Sequence, residues 1–210
     1  MRLKLIALVS GFLGAGAVQA ATFDLPLTET DVLPGFGYRI DLSDIGLLSI
    51  SSIELQDDPA NTTTGRATGF DVDAILFDVD GDIATTDDQT AATSFQFTPG
   101  MSTDGSALNG SDGAGGIDEM RATLDAFDGT GGLNGTGYLS MGRDGILRAS
   151  FDPGVTVGET LFLFTGEVGR SESLSRITVE GTAIPLPAGV WFMLTGFGLL
   201  GFWRLKFRAA

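Results

Sequence analysis

Acidic side chains crowd one stretch of this chain. Residues 69–82 carry five aspartates in fourteen positions: Asp71, Asp73, Asp78, Asp80 and Asp82. Aspartates at alternate positions on a turning loop can offer several oxygens to one hard cation. Calcium takes about six to eight such oxygens at roughly 2.3–2.6 Å. Asp78, Asp80 and Asp82 match the first, third and fifth ligands of an EF-hand loop. Ile83 stands where that loop needs Gly, and Gln89 where it needs Glu, so the residues argue against an EF-hand. Two readings remain. One is a different calcium loop built on Asp78, Asp80 and Asp82, with Asp87 or Asp88 returning to it. The other is a solvated acidic turn.

Asp71 and Asp73 pose a separate question. On a regular strand they share a face with Ile75 and Phe77, with Cα atoms roughly 6.6 Å apart. Paired carboxylates can hydrolyse glycosides at separations of about 5–9.5 Å. Paired acids also arise readily in an Asp-rich chain, and no aromatic-lined cleft accompanies them. No catalytic residue is assigned.

The absent residue types narrow the chemistry further. The chain has no His and no Cys. That removes Ser-His-Asp and Cys-His catalysis, and every zinc site built on His or Cys. It also removes disulfides, so core packing, with or without a metal, must hold the fold. The Gly-rich segments lack the P-loop Lys, and residues 113–118 hold only one degenerate copy of a calcium-binding nonapeptide that works in stacks. Asn61, Asn109 and Asn134 open N-glycosylation triplets, and each also reads as an ordinary loop asparagine.

The elements that would position these residues are short strands between Gly, Asp, Ser and Thr turns. Strands are expected at 37–42, 49–55, 69–77, 93–97, 138–141, 145–151, 160–165 and 173–180. Several alternate apolar with polar residues, while Leu161 to Phe164 is continuously apolar, as in a strand buried on both faces. Asp144-Gly145 gives a hairpin signal between two of them. Residues 57–66 read as a loop, and the Gly/Ser/Asp-rich segment 99–117 as a long, mobile one. Residues 118–127 are ambiguous. Ile117, Met120, Leu124 and Phe127 fall at helical spacing, while Met120, Ala122, Leu124 and Ala126 alternate, which favours a strand in β surroundings. The fold class expected is all-β, a jelly-roll-like sandwich.

Both ends of the chain read as targeting segments. Arg2 and Lys4 precede an apolar run that closes on Ala-Val-Gln-Ala at Ala20. This is the pattern of a cleavable secretory signal, residues 1–20. At the other end, Ile184-Pro185-Leu186-Pro187-Ala188-Gly189 leads into the apolar stretch from Val190 to Trp203. Trp191 and Trp203 lie near its two ends, as interfacial aromatics do, and Arg204, Lys206 and Arg208 follow. A transmembrane helix needs roughly 20 apolar residues, so this one spans only with the Pro-containing segment at its upper edge. The basic tail places the C-terminus in the cytoplasm.

Residues 183–210 resemble the PEP-CTERM class of bacterial sorting signals, in the VPLPA variant with Ile184 in place of Val. The resemblance implies recognition by an exosortase-type enzyme in the inner membrane, with processing near Pro185, Leu186 and Pro187. It also implies a Gram-negative cell that makes exopolysaccharide. Residues 70–75, 138–152 and 164–172 are similar to strands often seen in secreted proteins of that class. These look like calcium-assisted jelly rolls.

The ectodomain between the two signals, residues 21–182, is one domain in size. It holds seven arginines, no lysine and all 27 acids, a formal charge of −20. That excludes nucleic acid as a partner. The function expected is that of an exported surface or extracellular-matrix protein associated with exopolysaccharide or biofilm, and not an enzyme. The alternative is a calcium-dependent carbohydrate-binding module. A secreted hydrolase is a third class with little in the residues to favour it. The ectodomain has no Trp and only Tyr38 and Tyr138, few aromatics for stacking sugars.

Overall fold

The computed structural model describes residues 20–27, 29–32, 35–130, 135–168 and 172–184. The expected signal segment and the sorting tail from Pro185 onward lie outside them. Residues Ala20–Ala183 form one compact unit. Among the described residues, no helix is long and apolar enough to cross a membrane.

Among the described residues the unit is all-β, with a single 3-10 turn at Gly65–Ala67. One antiparallel sheet runs in the order β1 (Ala20–Asp24), β11 (Leu174–Ala183), β4 (Leu47–Asp57), β9 (Ile146–Thr156), β7 (Ser94–Thr98). The other runs β2 (Glu29–Val32), β3 (Gly35–Asp41), β10 (Phe162–Glu167), β5 (Asp71–Asp78), β6 (Thr90–Ala91). β8 (Leu139–Ser140) also pairs with β5, at Asp71 and Val72. All eight expected strands are present. The connections β3–β4, β4–β5, β8–β9, β9–β10 and β10–β11 each change sheet.

The sequence reason is alternation. On β4, Leu47, Ile50, Ile53 and Leu55 are buried, and on β11 Ile177 and Val179 are. On the other sheet Ile40, Val72, Ile75, Phe77 and Leu163 are buried in the same apolar cluster. Phe77 and Phe151 join the sheets directly, their ring centroids 4.7 Å apart. Each such side chain contributes about 1.5–3 kcal/mol when fully buried.

β5 departs from simple alternation. Thr165 pairs with Ile75, but Glu167 pairs with Val72, so β5 carries one extra residue there. The bulge reverses the facing of the strand. The core set is therefore Phe70, Val72, Ile75 and Phe77. Asp71 and Asp73 do not share the face of Ile75 and Phe77, contrary to the regular-strand reading.

The segment between β7 and β8 is tied to the second sheet by hydrogen bonds. Ile75 N donates to Leu124 O at 3.1 Å, Ser140 N to Asn109 O at 3.0 Å, and Asn109 N to Arg66 O at 2.8 Å. Leu108, Ala122 and Leu124 are buried. Residues 118–127 are neither strand nor helix. They open with a turn in which Arg121 N and Ala122 N both donate to Asp118 O, and continue irregularly. Met120 is 94 % exposed, which breaks the helical stripe.

Candidate metal centre

The acidic stretch begins where β5 ends. Asp78 is the last residue of that strand, paired with Phe162 of β10, and it is fully buried. Gly81, at φ 77°, turns the chain, and a Cβ there would run into the Arg39 guanidinium and stand 2.9 Å from the Phe162 ring. Positive φ and close approach both call for glycine. Thr85 N then closes a turn on Asp82 O at 2.9 Å. The Gln89 amide donates to the carbonyls of Ile83 at 3.0 Å and Thr85 at 2.7 Å. Pairing of Thr90 with Phe77 brings the chain back, so that Asp88 arrives beside Asp78 and Asp80.

Asp78, Asp80 and Asp88 each present a carboxylate oxygen, and the three oxygens lie within 4.8 Å of one another. Asp78 Oδ1 accepts from Gly81 N at 2.5 Å, and Asp88 Oδ2 accepts from Asp80 N at 3.2 Å. The remaining oxygens, Asp78 Oδ2 and Asp88 Oδ1, are buried and have no hydrogen-bond partner. Burial pushes the Asp78 carboxyl above the ordinary range; the Gly81 N–H and the Gln89 side-chain amide oppose this, and the Asp88 and Asp80 charges add to it. Asp82 stands outside the group. Its Oδ1 accepts from Ala84 N at 3.1 Å, the side-chain-to-backbone bond that favours Asp in turns. Of the expected trio, two residues are brought together, and Asp88, foreseen only as a returning partner, is the third.

Oxygen-only donors suit calcium, magnesium or manganese rather than softer metals. Oxygens that all lie within 4.8 Å of one another are close enough for one such ion to bridge.

Asp71 and Asp73 are occupied elsewhere. Ser140 Oγ donates to Asp71 Oδ1. Asp73 Oδ1 accepts from Gly129 N at 2.6 Å and Asp128 N at 3.1 Å, which pins the segment before β8. Burial raises Asp73 to about 6, against the pull of those two N–H groups.

The sequence reading passed over Asp57. This fully buried carboxylate ends β4. Its Oδ1 accepts from Phe70 N at 2.6 Å and Asn61 Nδ2 at 2.7 Å. Burial raises it to about 6, with those two bonds pulling the other way. Asn61 also bonds Ser173 through both ends of its amide, and Asn109 Nδ2 donates to the Tyr138 hydroxyl at 2.8 Å. Both glycosylation triplets therefore begin with a buried structural asparagine. The third, at Asn134, lies outside the described residues, as do Pro185, Leu186, Pro187, Ala188, Gly189, Val190, Trp191, Trp203, Arg204, Lys206 and Arg208. No family model matches this chain, and the searches of curated proteins and of solved structures found no match either.

Proposed function

We propose that this chain is an exported, non-enzymatic surface or extracellular-matrix module, sorted by its C-terminus in a cell that makes exopolysaccharide. The observation that carries the reading is the tripartite end: the Ile184–Gly189 segment, the apolar stretch to Trp203, and the basic residues Arg204, Lys206 and Arg208. An exosortase-type enzyme in the inner membrane is the processing partner, and exopolysaccharide the matrix partner.

The domain's edges agree with processing at both ends. Removal of residues 1–20 costs β1 only its Ala20–Thr182 pair and leaves Ala21 to Asp24 paired with β11. The strand orders β1-β11-β4-β9 and β3-β10-β5-β8 support the jelly-roll reading, since they are the two four-strand sheets of that topology. The non-enzymatic reading is supported by Asp71 and Asp73, which spend their carboxylates on Ser140, Asp128 and Gly129.

The alternative, a calcium-dependent carbohydrate-binding module, has the acidic cluster in its favour. Against it, Tyr38 and Tyr138 are 1 % and 3 % exposed, so neither offers a ring for a sugar to stack on. Calcium-dependent retention on purified exopolysaccharide would favour the alternative.

The sorting reading is tested by the intact mass of protein recovered from the cell surface. The expected species lacks residues 1–20 and everything beyond the Pro185–Pro187 region. A mature chain that keeps Trp191 to Ala210 in full would leave a plain membrane anchor and remove the exosortase.

A further inference from the structure

We propose that Asp78, Asp80 and Asp88 form a divalent-cation site of calcium type that clamps the β5–β6 connection. This goes beyond the sorting reading and does not depend on it.

Three observations converge. The three carboxylates bring one oxygen each to within 4.8 Å of the others, close enough for one divalent ion to bridge, and three carboxylates suit calcium where magnesium is ordinarily held by one or two and keeps its waters. Asp78 is 0 % exposed, yet its Oδ2 has no hydrogen-bond partner, and Asp88 Oδ1 is likewise buried and unpartnered. A buried charged oxygen without a partner is costly, and native folds satisfy such groups through protein, water or ions. Among the described residues no arginine is ion-paired with these carboxylates, although the Arg39 guanidinium stands near Gly81. Among the described residues the ion pairs are Arg121–Asp118 and Arg148–Glu180, and Arg39 stacks over Phe162 and Phe164. A cation from solution meets both needs: it takes up the orphaned oxygens and separates three like charges.

The ion's mechanical effect follows from where its ligands sit. Asp78 closes a central strand, Asp80 lies at the turn, and Asp88 precedes a two-residue edge strand held to β5 at only two register positions. Joining them fixes an eleven-residue excursion, 79–89, at both ends.

The test uses the full chain in detergent, stripped with EDTA and titrated with calcium chloride under thermal unfolding and calorimetry. A ligand that binds only the folded form raises Tm by mass action, about 5–10 °C at a hundredfold excess over Kd for a domain of this size. Sodium chloride at matched ionic strength controls for screening of the acidic surface. Magnesium should act more weakly. Asp88→Asn, at a partly exposed position, should raise Kd at least tenfold, and Asp78→Asn should do the same. Asp82→Asn should leave Kd within about twofold, because that carboxylate stands outside the group. The proposal is overturned if calcium acts no differently from matched salt or from magnesium. It is equally overturned if Asp82→Asn abolishes binding while Asp88→Asn does not, which would move the site onto the turn itself. A loss of calcium binding leaves the tail-mass result untouched, so the two readings fail separately.

Discussion

Along β4, buried positions are interrupted by exposed or half-exposed ones, whereas along β5 all eight residues are buried. The strands are comparable in position, each flanked by partners in the middle of its sheet. The difference lies in what covers the outer face. The β4 sheet turns Ser52, Glu54, Arg148, Thr178 and Glu180 outward around a shallow groove. On the β5 sheet, Phe127 and Gly129 of the segment between β7 and β8 lie against Gly166 and Asp73, and the buried polar residues there must find partners within the protein. Asp71 finds Ser140, Asp73 finds the N–H groups of Asp128 and Gly129, and Asn109 finds Tyr138. One sheet thus leaves its polar groups to water, and the other satisfies them internally with an insertion rich in turns.

The largest expected contrast comes from truncating an apolar side chain on each sheet. Leu76 on β5 is 2 % exposed, while Leu48 on β4 is 43 % exposed. Leu76→Ala should cost about 2–5 kcal/mol in urea unfolding, and Leu48→Ala about 0.5 kcal/mol or less. Equal costs would mean that Leu76 is not packed as its burial indicates.

A smaller effect follows from pH. Asp57 and Asp73 are raised to about 6 in the folded domain from an ordinary 3.8. The folded chain therefore binds their protons first, and stability rises as pH falls from about 6 toward 4. Each group contributes on the order of 3 kcal/mol across that window. Tm measured at pH 7.5 and pH 5 should show the rise. Asp57→Asn and Asp73→Asn should each flatten it, since an amide keeps an oxygen for the same N–H donors without the charge. Relief of the net negative charge acts in the same direction, so a residual slope is expected in the double variant.

The smallest effect belongs to the exposed sheet. Arg148 donates to Glu180 and to Ser52 across three strands, but the charged side chains are 37 % and 39 % exposed. A double-mutant cycle with Arg148→Met and Glu180→Gln should give a coupling of about 0.2–1 kcal/mol that shrinks in 1 M salt. A coupling of several kcal/mol would erase the distinction between a solvated and a covered sheet.

The same contrast explains what the sequence let one read. Strands that alternate or run continuously apolar were legible, because burial of one or both faces writes its period into the chain. β1 and β2 were not. β1 is an edge strand with no fully buried residue, and β2 reads Glu-Thr-Asp-Val, held by backbone pairing to β3 rather than by an apolar stripe. β6 has two residues and no pattern to show. The bulge on β5 left no local mark either, since Asp71, Asp73, Ile75 and Phe77 alternate perfectly on paper, and only the pairing with β10 reveals the extra residue. Residues 118–127 misled in another way: Ala122 and Leu124 reach the core from an irregular segment, where neither a helical nor a strand period is required. At the acidic loop, the clustering of aspartates was legible but the choice among them was not. Asp82 and Asp88 differ in whether the return of the chain along β6 brings the carboxylate to Asp78 and Asp80, which spacing alone does not encode.

The pairing of Ala20 with Thr182 has a mechanical consequence for any load applied at the end of β11. β11 lies between β1 and β4, bonded along its length to both, and Ala183 ends it. A force applied at Ala183 along the strand pulls β11 along its own axis. The inter-strand hydrogen bonds lie across that axis, so many carry load together instead of parting one at a time. A load on this end therefore meets the fold in shear, its strong direction.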